Sequence, residues 1–278
     1  MPASNTIDTW LSMATERLQS AEIPSARLDA EVILAHTLHK SRTYLHAHGD
    51  DTIDSRSLEI LDARLGLRSD RVPVAYIIGH KEFYGRQFKV TTATLIPRPE
   101  SETAIELLNE LIPANASLFK ETKRLIDVGT GSGCLGITAK LEHPELQVYL
   151  SDVSRAALNV AQRNASHLKA DVEIIKSDLL NDFPFKVDYI IANLPYVDED
   201  WERSPETNHE PASALFASRG GLSLIYKLLA QAPQSLRPGG YMLIEADPEQ
   251  HAAIKTEAAS RGLSHVKTSD YYVVLVLA

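Results

Sequence analysis

Between Arg124 and Ala246 the chain alternates short apolar segments with stretches of helical period, and no other feature limits its possible folds as much. RLIDVG (124–129), QVYLSDV (147–153), VEIIKSD (172–178), VDYIIANLP (187–195) and GGYMLIEA (239–246) read as strands, with helical GCLGITAKL (133–141) and RAALNVAQRNA (155–165) between the first three. Short apolar strands joined by helices of this length are the pattern of a parallel sheet covered on both faces, so this part is an α/β domain. The final segment, YYVVLVLA (271–278), follows SHVKTSD (264–270). That spacing leaves no room for a crossover helix, so the last strand is expected to run antiparallel to its neighbour. No internal repeat accompanies the alternation.

Ahead of it the period is helical. Ile7, Trp10, Leu11, Ala14 and Leu18 share one face of a helix that starts near Asn5. Pro24 and Ser25 punctuate, and Ser25 suits the N-cap of a second helix with Leu28, Val32, Ala35 and Leu38 on one side and Arg27, Asp29 and Glu31 facing out. A third helix, opened by Asp54, carries Leu58, Leu61 and Leu65. Residues 1–72 are therefore expected to form a small all-α domain. PVAYIIGHKEFYGRQFKV (73–90) loses the helical period and sets aromatic and β-branched residues between glycines, so 73–98 reads as a linker containing a β-hairpin. The α/β domain then spans 99–278, opening with a helix near Ser101 that carries Ile105, Leu108 and Ile112 and ends at Pro113.

Composition narrows the function. The 278 residues are 44% apolar and 23% charged, enough for packed cores in two units. Lys plus Arg number 28 against 37 Asp plus Glu, and the net charge of −9 opposes a phosphate backbone, so no direct nucleic-acid partner is expected. Cys134 is the one cysteine, which excludes an internal disulfide or a CxxC metal site and suits a reducing, cytoplasmic compartment. The first residues carry no basic segment with an apolar run behind it, and no apolar stretch reaches the ~20 residues of a membrane helix, so neither secretion nor a membrane partner is expected.

The strand RLIDV runs into Gly129-Thr130-Gly131-Ser132-Gly133-Cys134-Leu135-Gly136. Glycines between a strand and a helix let the backbone approach a ligand and aim helix N–H groups at it. Residues 131–136 match G-x-G-x-x-G, a pattern shared by many nucleotide enzymes and by plain tight turns. Asp127, just ahead of the turn, suits a ligand with an amino group better than a pyrophosphate. S-adenosylmethionine has such a group. Asp152 ends the next strand about 20 residues on, where a carboxylate accepts two ribose hydroxyls; the competing reading is a helix N-cap. Asp178, after the third strand, would face the adenine side of the crevice or be an ordinary loop aspartate.

Asn193-Leu194-Pro195-Tyr196 follows the strand VDYIIA at its carboxyl end, where ligands sit in an open α/β sheet. It resembles the (D/N)PP(Y/F) motif of amino-group methyltransferases. A planar –NH2 has its lone pair delocalised, so it attacks a methyl donor only when both hydrogens are held by acceptors. The Asn193 side-chain oxygen can take one and the Leu194 main-chain oxygen the other, while Tyr196 stacks on the flat group.

RLDAE (27–31), AYIIGHKEFYG (75–85), LIPRPESE (95–102), DVGTGSG (127–133), SDVSRAAL (151–158), NLPY (193–196), EP (210–211) and LIE (243–245) together resemble the release-factor glutamine methyltransferases over nearly the whole chain. The resemblance implies a Rossmann-like class I methyltransferase sheet, a helical amino-terminal domain that docks the substrate, and S-adenosylmethionine as methyl donor. It implies cofactor contacts at Gly129, Thr130, Gly131, Ser132, Gly133, Asp152, Leu179 and Asn193, and contacts to the glutamine of a Gly-Gly-Gln loop at Asn193, Leu194, Pro195 and Tyr196. A class I peptide-chain release factor is then the protein partner of a monomeric enzyme. Leu194 departs from the usual proline but keeps the carbonyl, and Pro195 biases it toward an extended conformation. The alternatives are a glutamine methyltransferase of a ribosomal protein, an adenine-amino methyltransferase of nucleic acid, and a noncatalytic module that keeps the cofactor pocket.

Other features take plainer readings. His36, His39, His46 and His48 lack acidic or cysteine partners at ligand spacing and are expected at the surface or an interface, with no metal site. Cys134 is expected to fill space after the glycine loop. Asp198, Glu199, Asp200, Glu202 and Glu206 are read as a solvated loop, with an acidic lip for a basic partner as the alternative.

Overall fold

The computed structural model describes residues 5–112, 122–181 and 183–278. The chain divides into two compact units, one of residues up to His80 with Ser204–His209, the other of Lys81–Arg203 with Glu210–Ala278.

The first unit is helical: α1 (Ile7–Ser20), α2 (Ala26–Leu38), α3 (Arg42–Ala47), α4 (Ser55–Ser69) and α5 (Val74–Ile78). The Thr6 side chain caps α1, and Ile7, Trp10, Leu11, Ala14 and Leu18 are its buried face as the spacing requires. Asp54 caps α4 by accepting the Ser57 N–H, with Leu61 and Leu65 buried.

α2 departs from the sequence reading. Its buried residues are Ala26, Asp29, Ala30, Glu31, Ile33, Leu34 and Ala35, while Leu28 is exposed. Apolar residues occur on two sides of this helix, and Ala26, Ala30, Ile33 and Leu34 are the side packed into the core, with ion pairs satisfying the acids buried beside them. Asp29 accepts from the buried Arg68 of α4 at 2.7 Å, and Glu31 accepts from Arg27 and Arg42 at 2.8 and 2.7 Å. Ser25 stands at the N-cap but makes no capping bond; its hydroxyl donates to Asp29 instead. Glu206 is not solvated either: it accepts from Arg68 at 3.0 Å and Arg71 at 3.4 Å within this same unit. Burial alone would raise its carboxyl, but the Ser204 hydroxyl, a backbone N–H and Arg68 bring it down to about 2. Two short helices escaped the sequence reading, α3 and α5, since five or six residues give too few turns for a period.

The second unit begins with the hairpin β1 (His80–Phe83) and β2 (Arg86–Lys89). Phe83 and Phe88 are buried in its core, so the hairpin is packed structure and not a loose connection. A 3₁₀ turn, Pro99–Glu102, leads into α6 (Thr103–Leu111), where Ile105 and Leu108 are buried and Ile112 follows at the C-cap. The stop assigned to Pro113 lies outside the described residues. There follow β3 (Arg124–Val128), α7 (Cys134–Glu142), β4 (Gln147–Asp152), α8 (Arg155–Leu168), β5 (Val172–Lys176), β6 (Val187–Ala192), α9 (Ser223–Ser235), β7 (Leu236–Glu245), α10 (His251–Ser260), β8 (Leu263–Ser269) and β9 (Tyr272–Leu277).

The seven-stranded sheet has the order β5-β4-β3-β6-β7-β9-β8. β3, β4, β5, β6 and β7 are parallel, and β9 runs antiparallel to β7. SHVKTSD is not a connector but most of β8, paired antiparallel to β9. All six residues of β6 are buried, alternately between two core clusters: Tyr189 and Ile191 on one face, Ile190 and Ala192 on the other. That double burial explains the apolar run Tyr189–Ala192, while the buried Asp188 accepts from Lys123 Nζ and the Arg124 N–H, each at 2.9 Å. Strand order turns around between β3 and β6, so the loops leaving their carboxyl ends open a crevice. Val128 pairs with Ala192 there, which brings Gly129 and Asn193 out side by side.

Candidate active site

One cavity at this crevice is lined by Gly129, Gly131, Asp152, Asp178, Leu179, Asn193, Leu194 and Pro195, with Thr94, Leu95 and Ser213 among the other walls. Eight of the residues singled out from the sequence thus converge. Thr130, Ser132, Gly133 and Tyr196 do not line it.

The glycine loop is built by hydrogen bonds that also explain those exceptions. Thr130 donates its hydroxyl to Asp127 at 2.6 Å, and the Gly136 N–H donates to the same Asp127 oxygen at 2.9 Å. Asp127 is buried, and through one carboxylate oxygen it stitches β3 to α7. Burial pushes its carboxyl up to about 6, against the pull of Thr130 and Gly136. The Ser132 carbonyl accepts from the buried Asn164 amide, which also bonds Lys89 of β2 on both its N–H and C=O. Gly133 has φ +84°, and a Cβ there would meet Ile137 Cδ1 at 2.7 Å. It is a packing glycine. Cys134 packs against the core beside it, its thiol pushed up to about 12 by burial and by Asp127.

Asp152 is held from both sides: its Oδ2 accepts the Gly131 N–H at 3.0 Å and its Oδ1 the Ser154 N–H at 2.8 Å. The α8 N-cap bond comes from Ser154, not from Asp152. Each carboxylate oxygen keeps a further lone pair for a ligand. Burial raises this carboxyl, with the two loop N–H groups opposing.

At the β6 end, Asn193 donates from Nδ2 to Ser101 Oγ at 3.0 Å. Ser101 donates to Glu245 Oε2 at 2.6 Å, Tyr272 donates to the same oxygen at 2.6 Å, and Tyr196 donates to Glu245 Oε1 at 3.3 Å. Burial and then Glu245 push the Tyr196 phenol well above its ordinary range, so it is a neutral donor. The Tyr196 carbonyl accepts from Gln250 Nε2 at 2.8 Å. Leu194 is buried with Cδ2 over Gly129, whose missing Cβ would lie 2.8 Å from it. Leu194 therefore fills space over the glycine turn. No local pattern marks Ser101, Glu245, Tyr272, Asn164 or Gln250 as partners of these loops. Glu245 carried a signal, an acid closing an apolar strand as Asp152 does, but its partners come from remote segments.

The PrmC N-terminal domain family matches residues 9–79, and the Methyltransferase small domain family matches residues 99–214. A release factor glutamine methyltransferase of Koribacter versatilis is 38% identical over 253 residues, 87% of this chain and 89% of that one. The protein of that name from Escherichia coli K12 is 32% identical over 267 residues, 95% of this chain and 94% of its own. Among solved structures, the hMettl16 catalytic domain in complex with MAT2A 3'UTR hairpin 6 aligns with a TM-score of 0.53 at 17% identity, over 81% of this chain and 82% of that one. The Thermus thermophilus 16S rRNA N2 G1207 methyltransferase aligns with a TM-score of 0.51 at 16% identity, over 71% of this chain and 49% of that one. These two structures share the methyltransferase fold, and the nearly full-length identity to the curated relatives is more specific: the chain belongs to the release factor glutamine methyltransferase family.

Proposed function

We propose that this chain transfers a methyl group from S-adenosylmethionine to the side-chain amide nitrogen of the glutamine in the Gly-Gly-Gln loop of a class I release factor. The observation that carries the reading is the meeting of Asn193 and Leu194 with Gly129, Gly131 and Asp152 in one cavity at the turn-around of the sheet. S-adenosylmethionine fits the residues there. Asp152, fixed by two backbone N–H groups with a lone pair spare on each oxygen, would hold the ribose hydroxyls. Gly129 and Gly131 leave bare backbone in the wall, and Asp178 and Leu179 would border the adenine.

When bound, the cofactor would supply a sulfonium methyl carbon that a nitrogen lone pair can attack, the sulfur leaving as a neutral thioether. The Asn193 side-chain oxygen and the Leu194 carbonyl each accept one amide hydrogen, which fixes the nitrogen in the cavity and lets its lone pair localise. Pro195 holds Leu194 extended, and Tyr196 packs behind with its hydroxyl committed to Glu245. The nitrogen becomes acidic on methylation and loses its proton afterwards, so no strong base is required. Such orientation lowers a two-reactant barrier by several kcal/mol, up to about 7–11 in the best oriented cases.

The test is incubation with methyl-labelled S-adenosylmethionine and release factor, followed by peptide mass spectrometry. The label is expected on the Gly-Gly-Gln glutamine. Cofactor binding by titration with no transfer to any release factor would leave a noncatalytic module instead.

A further inference from the structure

We propose that Glu245, acting through Ser101, determines which way round the Asn193 side-chain amide points, and so which of its atoms faces the substrate. This role rests on Asn193 being the acceptor for the substrate amide, as in the function proposed above.

The orientation follows from a count of hydrogens. An asparagine amide has an oxygen that accepts and a nitrogen that donates, and the two ends are nearly the same size. Only the oxygen can take a hydrogen from a substrate –NH2. Asn193 lines the cavity, and its side chain is hydrogen-bonded to Ser101 Oγ at 3.0 Å. A serine hydroxyl has a single hydrogen. If that hydrogen pointed at Asn193, the amide oxygen would turn toward Ser101 and the –NH2 toward the cavity, where it would repel the substrate amide. Glu245 removes this choice. Its carboxylate is buried at 2% exposure and accepts the Ser101 hydrogen at 2.6 Å. Ser101 Oγ then has only lone pairs left for Asn193, which must offer its Nδ2 and leave Oδ1 for the substrate.

Three features of the fold hold Glu245 in this role. It ends β7 opposite Tyr272 of β9, whose hydroxyl donates to the same oxygen at 2.6 Å. The Tyr196 hydroxyl reaches the other oxygen at 3.3 Å. Ser101 sits in the 3₁₀ turn Pro99–Glu102, in the segment held by the bonds of Ile96 and Arg98 to the buried Glu210. A carboxylate accepting three hydroxyls is a net sink for hydrogens, and a charge-assisted bond to it is stronger than the neutral bond Ser101 could make to Asn193. Glu245 and Ser101 are positioning residues, since neither lines the cavity.

The experiment is a double-mutant cycle read by single-turnover methyl transfer to release factor and by cofactor titration. Ser101→Ala should slow transfer by about 10- to 100-fold, the scale of a misaligned reacting group, while cofactor affinity stays within about twofold. In an Asn193→Ala background, which is itself slow, the same substitution should change the rate by less than about twofold, because the amide it orients is gone. Glu245→Gln, made in a Tyr272→Phe background so that Tyr196 alone holds the Gln oxygen, should follow the same pattern, as the Gln –NH2 can then donate to Ser101 Oγ and release its hydrogen toward Asn193. Equal losses in the presence and absence of Asn193 would overturn the proposal, as would full activity of Ser101→Ala or its loss of cofactor binding, which assigns a structural role. If the unsubstituted protein transfers no methyl to release factor, the activity reading fails, an outcome the cycle separates from failure of the positioning role.

Discussion

Asp152 shows how much a single side chain depends on its backbone partners. Its two oxygens are already aligned by the Gly131 and Ser154 N–H groups, so a ligand meets a carboxylate with no orientation left to fix. Asp152→Ala is expected to weaken cofactor binding by about 1.5–3 kcal/mol for each charge-assisted hydrogen bond it removes, with a smaller effect on turnover at saturating cofactor. Isothermal titration checks this, and an unchanged dissociation constant removes Asp152 from the ribose site. Leu194 illustrates the opposite case. A proline would keep the carbonyl but not the side chain that covers Gly129, so the leucine is matched to its neighbour as well as to the motif.

At the scale of elements, charges pair across helices and tie a loop to its strand. Arg68 of α4, itself buried, bonds Asp29 of α2 and Glu206 together. Arg68→Met would leave Asp29 buried without its partner and is expected to cost about 3–5 kcal/mol in urea unfolding, with Asp29→Leu added to it recovering part. Asp127 links β3 to α7 and carries a pH dependence of its own. Its folded-state carboxyl lies at about 6 against the ordinary 3.8, so the folded chain binds the proton more tightly than the unfolded one. This contribution is complete below about pH 4 and is lost as pH rises through 6, on the order of 3 kcal/mol. Asp127→Asn should remove that slope. Unfolding free energies at pH 4 and 7 should show the Asn variant gaining on the wild type as pH rises, and parallel curves would refute the assignment.

For the whole molecule, the division of the chain decides where a truncation can be made. α5 belongs with the helical unit, and Phe83 and Phe88 of the hairpin are core residues of the sheet unit, so a cut after His80 keeps the sheet unit's core and strips Glu206 of Arg68 and Arg71. That truncation should spare cofactor binding and lower methylation of intact release factor by about tenfold or more, if the helical unit supplies docking contacts of a few kcal/mol. A free Gly-Gly-Gln peptide should be an equally poor substrate for both forms. Undiminished methylation of the whole factor would give the helical unit another task. Among the described residues, no helix is long and apolar enough to cross a membrane.

The sequence alone determined the α/β alternation, the antiparallel last strand, the glycine loop after β3 and the Asn193–Tyr196 turn after β6. These are local facts: burial on both faces makes a strand apolar throughout, and a turn at a strand end needs particular residues in a row. Tertiary structure decided which side of α2 is buried, because Ala30, Ile33 and Leu34 meet the other helices there and Arg68 arrives to pair Asp29, while Leu28 is left exposed. It also gave Asp127 Thr130 and Gly136 as partners. The layer behind Asn193 could not be read in advance, since Ser101, Glu245 and Tyr272 lie 92, 52 and 79 residues from it along the chain and meet only when β6, β7 and β9 pair. A hydrogen-bond chain has no sequence period, and the direction of this one follows from where the Glu245 carboxylate comes to rest.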